Sequence, residues 1–85
     1  MYSGEKLSVK LQFDQALLNV MLDRFGKDLH IQQINDATLT STVRVEVSPT
    51  FYGWLFQFGT KMKISEPENV REDFLRYLSE VLEGM

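Results

Sequence analysis

The sequence contains no cysteine. That excludes disulfide frameworks, thiolate zinc sites and cysteine nucleophiles together. Histidine is nearly as scarce: His30 stands alone, and one imidazole without a second histidine or a thiol is not a metal site. It is read as a surface side chain on the outward face of an edge strand. No Ser-His-Asp arrangement, Gly-rich phosphate loop or nucleophile elbow is present. Acidic residues are plentiful, yet no pair falls in a predicted pocket beside a nucleophile. Neither catalysis nor a cofactor or metal is expected. Long apolar runs are missing too, since none approaches the roughly 20 residues of a membrane span. The start, Met-Tyr-Ser-Gly-Glu-Lys, lacks the apolar core of a signal peptide. A soluble, cytoplasmic protein is the expectation.

Hydrophobic residues make up 44% and charged residues 25% of the 85, proportions of one ordinary globular domain with a modest core. Net charge is −3, unevenly spread. From Glu66 onward six acids (Glu66, Glu68, Glu72, Asp73, Glu80, Glu83) face two bases (Arg71, Arg76). Affinity for nucleic acid rests largely on Lys and Arg neutralising phosphates, so direct binding of duplex DNA by this segment is not expected.

The chain is organised around Ser48 to Gly59, which holds the only Trp and three of the six Phe. Ser48 can cap a helix whose first position is Pro49, and Gly59 suits its C-terminal cap. Phe51, Trp54, Leu55 and Phe58 fall at i, i+3, i+4 and i+7 as one apolar stripe, while Tyr52 and Phe56 form a second row. Such a helix has two faces to bury. The stripe belongs in the core; the second row is either shielded by loops and the final helix or offered to a partner. Tyr52 and Phe56 are therefore the interface candidates.

Around this helix, Lys6 to Phe13 alternates as a half-buried strand, with Leu7, Val9, Leu11 and Phe13 inward. Asp14 offers a cap to a helix over Ala16 to Phe25 that Gly26 stops. Asp28 to Ile34 is a weaker strand, in which Ile34 breaks the alternation and predicts a bulge or an early end. Leu39 to Val47 alternates again after a turn-rich Asn35-Asp36-Ala37-Thr38. Lys61 to Ser65 predicts a short edge strand. Pro67 opens an amphipathic last helix with Val70, Phe74, Tyr77, Leu78, Val81, Leu82 and Met85 at helical spacing. Two strand-helix-strand crossovers joined by a hairpin predict an α+β, ferredoxin-like split βαβ sandwich with an extra C-terminal helix. Its first and third strands should be central.

The open sheet face would carry Ser8, Lys10, Gln12, His30, Gln32, Thr40, Thr42, Arg44, Glu46, Lys61 and Lys63. It lacks the aromatic side chains that stack RNA bases. Lys10 and Arg44, on neighbouring central strands, are the candidates for a small anion-attracting spot, against the plainer reading of solvated surface charges.

From Val43 onward a more specific pattern stands out. Val43-Arg44-Val45-Glu46-Val47 is followed by Phe51, by Trp54-Leu55-Phe56-Gln57-Phe58-Gly59, then by Met62-Lys63-Ile64-Ser65-Glu66-Pro67 and Val70-Arg71. This resembles the C-terminal extension, WCX, that follows the WYL domain in bacterial transcriptional regulators. Asp23-Arg24-Phe25-Gly26 is similar to the end of that family's first helix. The chain departs from the family's usual ending, an aromatic after the last helix, and closes on Glu83-Gly84-Met85. Trp54, Leu55, Phe58 and Gly59 carry the motif, and their first role is structural.

The resemblance implies a regulator with an upstream winged helix-turn-helix and WYL domain, of which this chain would be a fragment. Residues 1–5 are read as a tail or boundary and residues 6–85 as the single domain. The expected role is non-catalytic: dimerisation, as a homodimer, or contact with the WYL domain, which would set the spacing of two DNA-binding heads. The alternative is a sensor of a small ligand or short oligonucleotide at a domain interface, in which Lys10 and Arg44 would matter.

Overall fold

A computed structural model describes residues 6–85; the expected tail over residues 1–5 lies outside the described residues. Strand β1 (Lys6–Asp14) pairs antiparallel with β3 (Thr38–Glu46), Val9 facing Val43, Leu11 facing Ser41 and Phe13 facing Leu39. On the other side of β1 lies β4 (Met62–Glu66), with Leu11 opposite Ile64 and Phe13 opposite Met62. The short β2 (Ile31–Gln33) pairs with Leu39–Ser41 of β3. The result is an α+β domain with one four-stranded antiparallel sheet in the order β2-β3-β1-β4, whose central pair is the two long alternations. Facing residues share a face of the sheet. This register therefore gathers Val9, Leu11, Phe13, Val43, Val45, Met62 and Ile64 on one side, and all are buried. Each fully buried side chain of this kind contributes about 1.5–3 kcal/mol through removal from water.

Three helices cover that face. Asp14 accepts the Ala16 N–H at 2.8 Å, as its capping role predicts. The first turn it starts is a 3-10 turn over Gln15–Leu17, so α1 (Leu18–Phe25) begins later than the periodicity suggests. Gly26 ends α1 at φ 97°, a conformation open to glycine. Ser48, in extended geometry, accepts the Phe51 N–H at 3.3 Å and starts α2 (Pro49–Phe56). Gly59 does not cap this helix, which stops three residues sooner. Phe58 N–H donates back to the Leu55 carbonyl at 3.1 Å, and Gly59, at φ 59°, turns the chain toward β4. That shift lets the chain reach Met62 through one 3-10 turn, Gly59–Lys61. Helix α3 runs Glu68–Glu83, with Pro67 at the capping position rather than the first helical one.

β2 ends early at Gln33, leaving Ile34 exposed. The Asn35 Oδ1 accepts the Ala37 and Thr38 N–H groups at 2.9 and 3.0 Å, closing the turn-rich segment into the β3 hairpin. Two polar residues of β3 are buried. Ser41, on the apolar face, donates its hydroxyl to the His30 carbonyl at 2.6 Å, which satisfies a group that would otherwise be costly there. Thr40 belongs to the polar face, yet it too is buried, with Gln12 and Gln32 as its cross-strand neighbours.

Candidate functional site

Helix α2 joins the two other helices, one on each side. Toward α3, Tyr52 packs its ring against Phe74 and Tyr77, centroids 5.1 and 5.4 Å away, and donates its hydroxyl to Asp73 Oδ2 at 2.6 Å. Asp73 also pairs with Arg76 one turn along. The Tyr52 hydroxyl holds the Asp73 carboxyl below the ordinary aspartate range; partial burial opposes this, and the Arg76 charge adds to it. Toward α1, Trp54 meets Phe25 edge-on at 5.6 Å and Phe58 edge-on at 5.1 Å, and stacks with Phe51 at 6.3 Å. The Arg24 guanidinium lies 5.5 Å from the Trp54 ring centre, a cation–π contact. The motif residues Trp54, Leu55 and Phe58 thus belong to the core or its margin, as Leu55 at 1% exposure shows most plainly.

The two interface candidates part company. Tyr52 is 0% exposed, so it is not on the surface: α3 covers it, and its hydroxyl is engaged there. Phe56, one turn on, is 56% exposed. The final helix supplies two more bare apolar side chains. Leu82, expected with the inward row, is 69% exposed, and Leu75, which the inward row omitted, is 51% exposed. They stand seven residues apart, on one side of α3. Met85, also expected inward, lies beyond the helix end and is exposed. An acidic outer face is therefore an incomplete description of α3.

The polar candidates Lys10 and Arg44 lie diagonally across β1 and β3 on the same sheet face but line different hollows. Lys10 faces Thr42 and pairs with Glu66 at 3.7 Å. It lines a small hollow of about 90 Å³ beside His30, Gln32 and Thr42, His30 lying just before β2 rather than on it. Arg44 faces Ser8 and lines a different and larger hollow, about 460 Å³, with Lys6, Arg24, Phe25 and Glu46. Sequence reasoning missed Asp73, Arg24 and Leu75. The Asp73 and Arg76 spacing was a readable i, i+3 signal; the Tyr52 contact needed the docking of α3. Among the described residues, no three His, Asp or Glu side chains gather to hold a metal ion. No helix among them is long and apolar enough to cross a membrane.

These features define a small α+β domain with exposed apolar residues on two of its helices and shallow polar hollows. The WCX domain model matches residues 5–82 of the 85. The chain belongs to the WCX domain family, whose context is that of WYL-type transcription regulators. No curated protein and no solved structure matches it significantly.

Proposed function

We propose that this WCX domain is a non-catalytic contact module of a cytoplasmic WYL-type regulator, with a ferredoxin-like sandwich as its frame. The domain does not grip duplex DNA itself. It associates with a second copy or with the WYL domain, and thereby sets the distance between DNA-binding heads. One observation carries this reading: Phe56 on α2 and Leu75 and Leu82 on α3 are more than half exposed, the last two among the charged and polar outward positions of α3. Large apolar side chains grouped on an outer helix surface favour a protein contact. The strand order β2-β3-β1-β4, with a helix between β1 and β2 and another between β3 and β4, supports the ferredoxin-like frame.

Sedimentation velocity tests the self-contact. Phe56→Ser and the double variant Leu75→Ser/Leu82→Ser leave buried positions untouched, unlike any change at Tyr52. The parent is expected to sediment as a dimer at high concentration and the double variant as a monomer. A parent that stays monomeric removes the self-contact and leaves the WYL domain as the partner. Retention of the dimer by both variants rejects these residues as the interface.

A further inference from the structure

The most unusual backbone feature is the free edge of β3. β2 pairs only with Leu39–Ser41, so from Thr42 to Glu46 the third strand has a neighbour, β1, on one side alone. The Ile34 N–H donates to the Thr38 carbonyl at 2.9 Å, which turns the Thr38 backbone toward β2. Successive residues of a strand alternate in direction. The N–H and C=O groups of Thr42, Arg44 and Glu46 therefore point the same way as those of Thr38, into the space where β2 does not continue. The Ile31↔Ser41 pair sets the His30 carbonyl beside the Thr42 N–H, but among the described residues no backbone group pairs with Arg44 or Glu46 there. At His30, whose carbonyl accepts from Ser41 on the apolar face, the chain leaves the sheet instead of following β3.

This edge is recessed. A hollow of about 460 Å³ at the C-terminal end of β3 is lined by Arg44, Val45 and Glu46, by Lys6 of β1, by Arg24 and Phe25 at the end of α1, and by the start of α2 from Ser48 to Phe51. Three of these side chains are cationic and one is anionic. A recess with a strand edge in its wall suits a narrow extended chain better than the broad edge of a second domain. Its charge selects carboxylates, because two guanidinium groups offer planar donor forks. The edge also lacks Pro, Lys and bulges as defences against pairing. Thr-Val-Arg-Val-Glu contains no Pro or Lys, and Val and Thr favour extended structure.

We propose that the free edge of β3 accepts an extended acidic peptide segment as an added antiparallel strand. The main chain of Arg44 and Glu46, with the Thr42 carbonyl, supplies the pairing, and Arg44, Arg24 and Lys6 select carboxylate side chains. Edge addition of this kind draws affinity from backbone hydrogen bonds and specificity from alternate side chains. The span from Thr42 to Glu46 is about 13 Å at the usual rise, room for about five residues.

The test uses the 85-residue chain and three probes, followed by amide NMR and hydrogen exchange. The first is acetyl-Thr-Val-Glu-Val-Glu-amide; the second has both Glu replaced by Lys; the third is the first with its central Glu N-methylated. The acidic peptide is expected to shift the amides of Arg44 and Glu46 and to slow their exchange several-fold. The other two are expected to do neither. Arg24→Glu/Arg44→Glu is expected to reverse the preference toward the Lys peptide, so a folded variant that still prefers the acidic one refutes the charge selection. Equal binding of the N-methylated peptide reduces the site to a charged patch and overturns strand addition. So does the absence of shifts at millimolar peptide. Concentration-dependent protection of these amides without peptide assigns the edge to a second copy and also overturns the proposal.

Discussion

Replacing Tyr52 by Phe removes a polar contact that ties α3 to α2. The ring keeps its packing against Phe74 and Tyr77, while the hydroxyl that reaches Asp73 at 2.6 Å is lost. Hydrogen bonds to charged groups contribute about 1.5–3 kcal/mol. The lower end applies here, because the Asp73 side chain is 23% exposed and keeps Arg76 as a partner. A loss of about 1.5 kcal/mol in a domain of this size lowers Tm by about 6–12 °C. The pH dependence follows from the direction of the Asp73 shift. With its folded-state pKa depressed, the carboxylate stabilises the fold above the ordinary aspartate range, near about 4, and loses that contribution as pH falls through the folded-state value. Urea unfolding of parent and variant at neutral pH should therefore differ by about 1.5 kcal/mol, with the gap narrowing in acid. A cycle with Asp73→Ala should return most of that difference as coupling. A Tyr52→Phe variant as stable as its parent at neutral pH, or an Asp73 that titrates unchanged in it, would refute the reasoning.

Two glycines should respond in opposite directions to the same substitution. Gly26→Ala meets no atom within 4 Å, so its cost is that of forcing φ 97° and ψ 161° on a residue with a Cβ, about 1–3 kcal/mol. Gly53→Ala, inside α2 and equally unobstructed, should stabilise by about 0.5–1 kcal/mol through helix propensity. Thermal denaturation of the two variants checks both signs; a stabilising Gly26→Ala would mean that α1 does not end as described.

The sheet was legible because its two central strands bury one face and expose the other, which writes a period of two into β1 and β3. Ser41 interrupted that pattern without misleading it, since its hydroxyl finds the His30 carbonyl at 2.6 Å. The fate of the second row on α2 was not legible. Tyr52 and Phe56 stand four residues apart and look equivalent from the helix alone. Only the position of α3 separates them, and nothing in the pattern of α2 encodes where another helix will cross it. The same holds for Leu75 and Leu82, whose exposure depends on how far α3 reaches past the core. The end of α2 was misplaced for a local reason. Gly59 does adopt a left-handed conformation, at φ 59°, but three residues beyond the helix, where the turn into β4 requires it.

The lone pairing of β2 with Leu39–Ser41 bears on how the domain manages its edges. A bare strand is an invitation to pairing that folded proteins usually block. At β4 the defence is visible: Lys63 stands exposed on the strand, and the register with β1 shifts between Lys10 and Leu11. Along Thr42–Glu46 there is no Pro, Lys or bulge, and the charges present, Arg44 and Glu46 on the strand with Arg24 and Lys6 beside it, are of both signs. Charges so placed do not prevent pairing; they choose among strands that arrive. The hollow beside the edge is lined from β1, β3, the end of α1 and the start of α2, whereas Phe56, Leu75 and Leu82 lie at the end of α2 and on α3. The two surfaces share no residue, so a carboxylate-bearing strand and a helix-docking partner have no steric reason to compete.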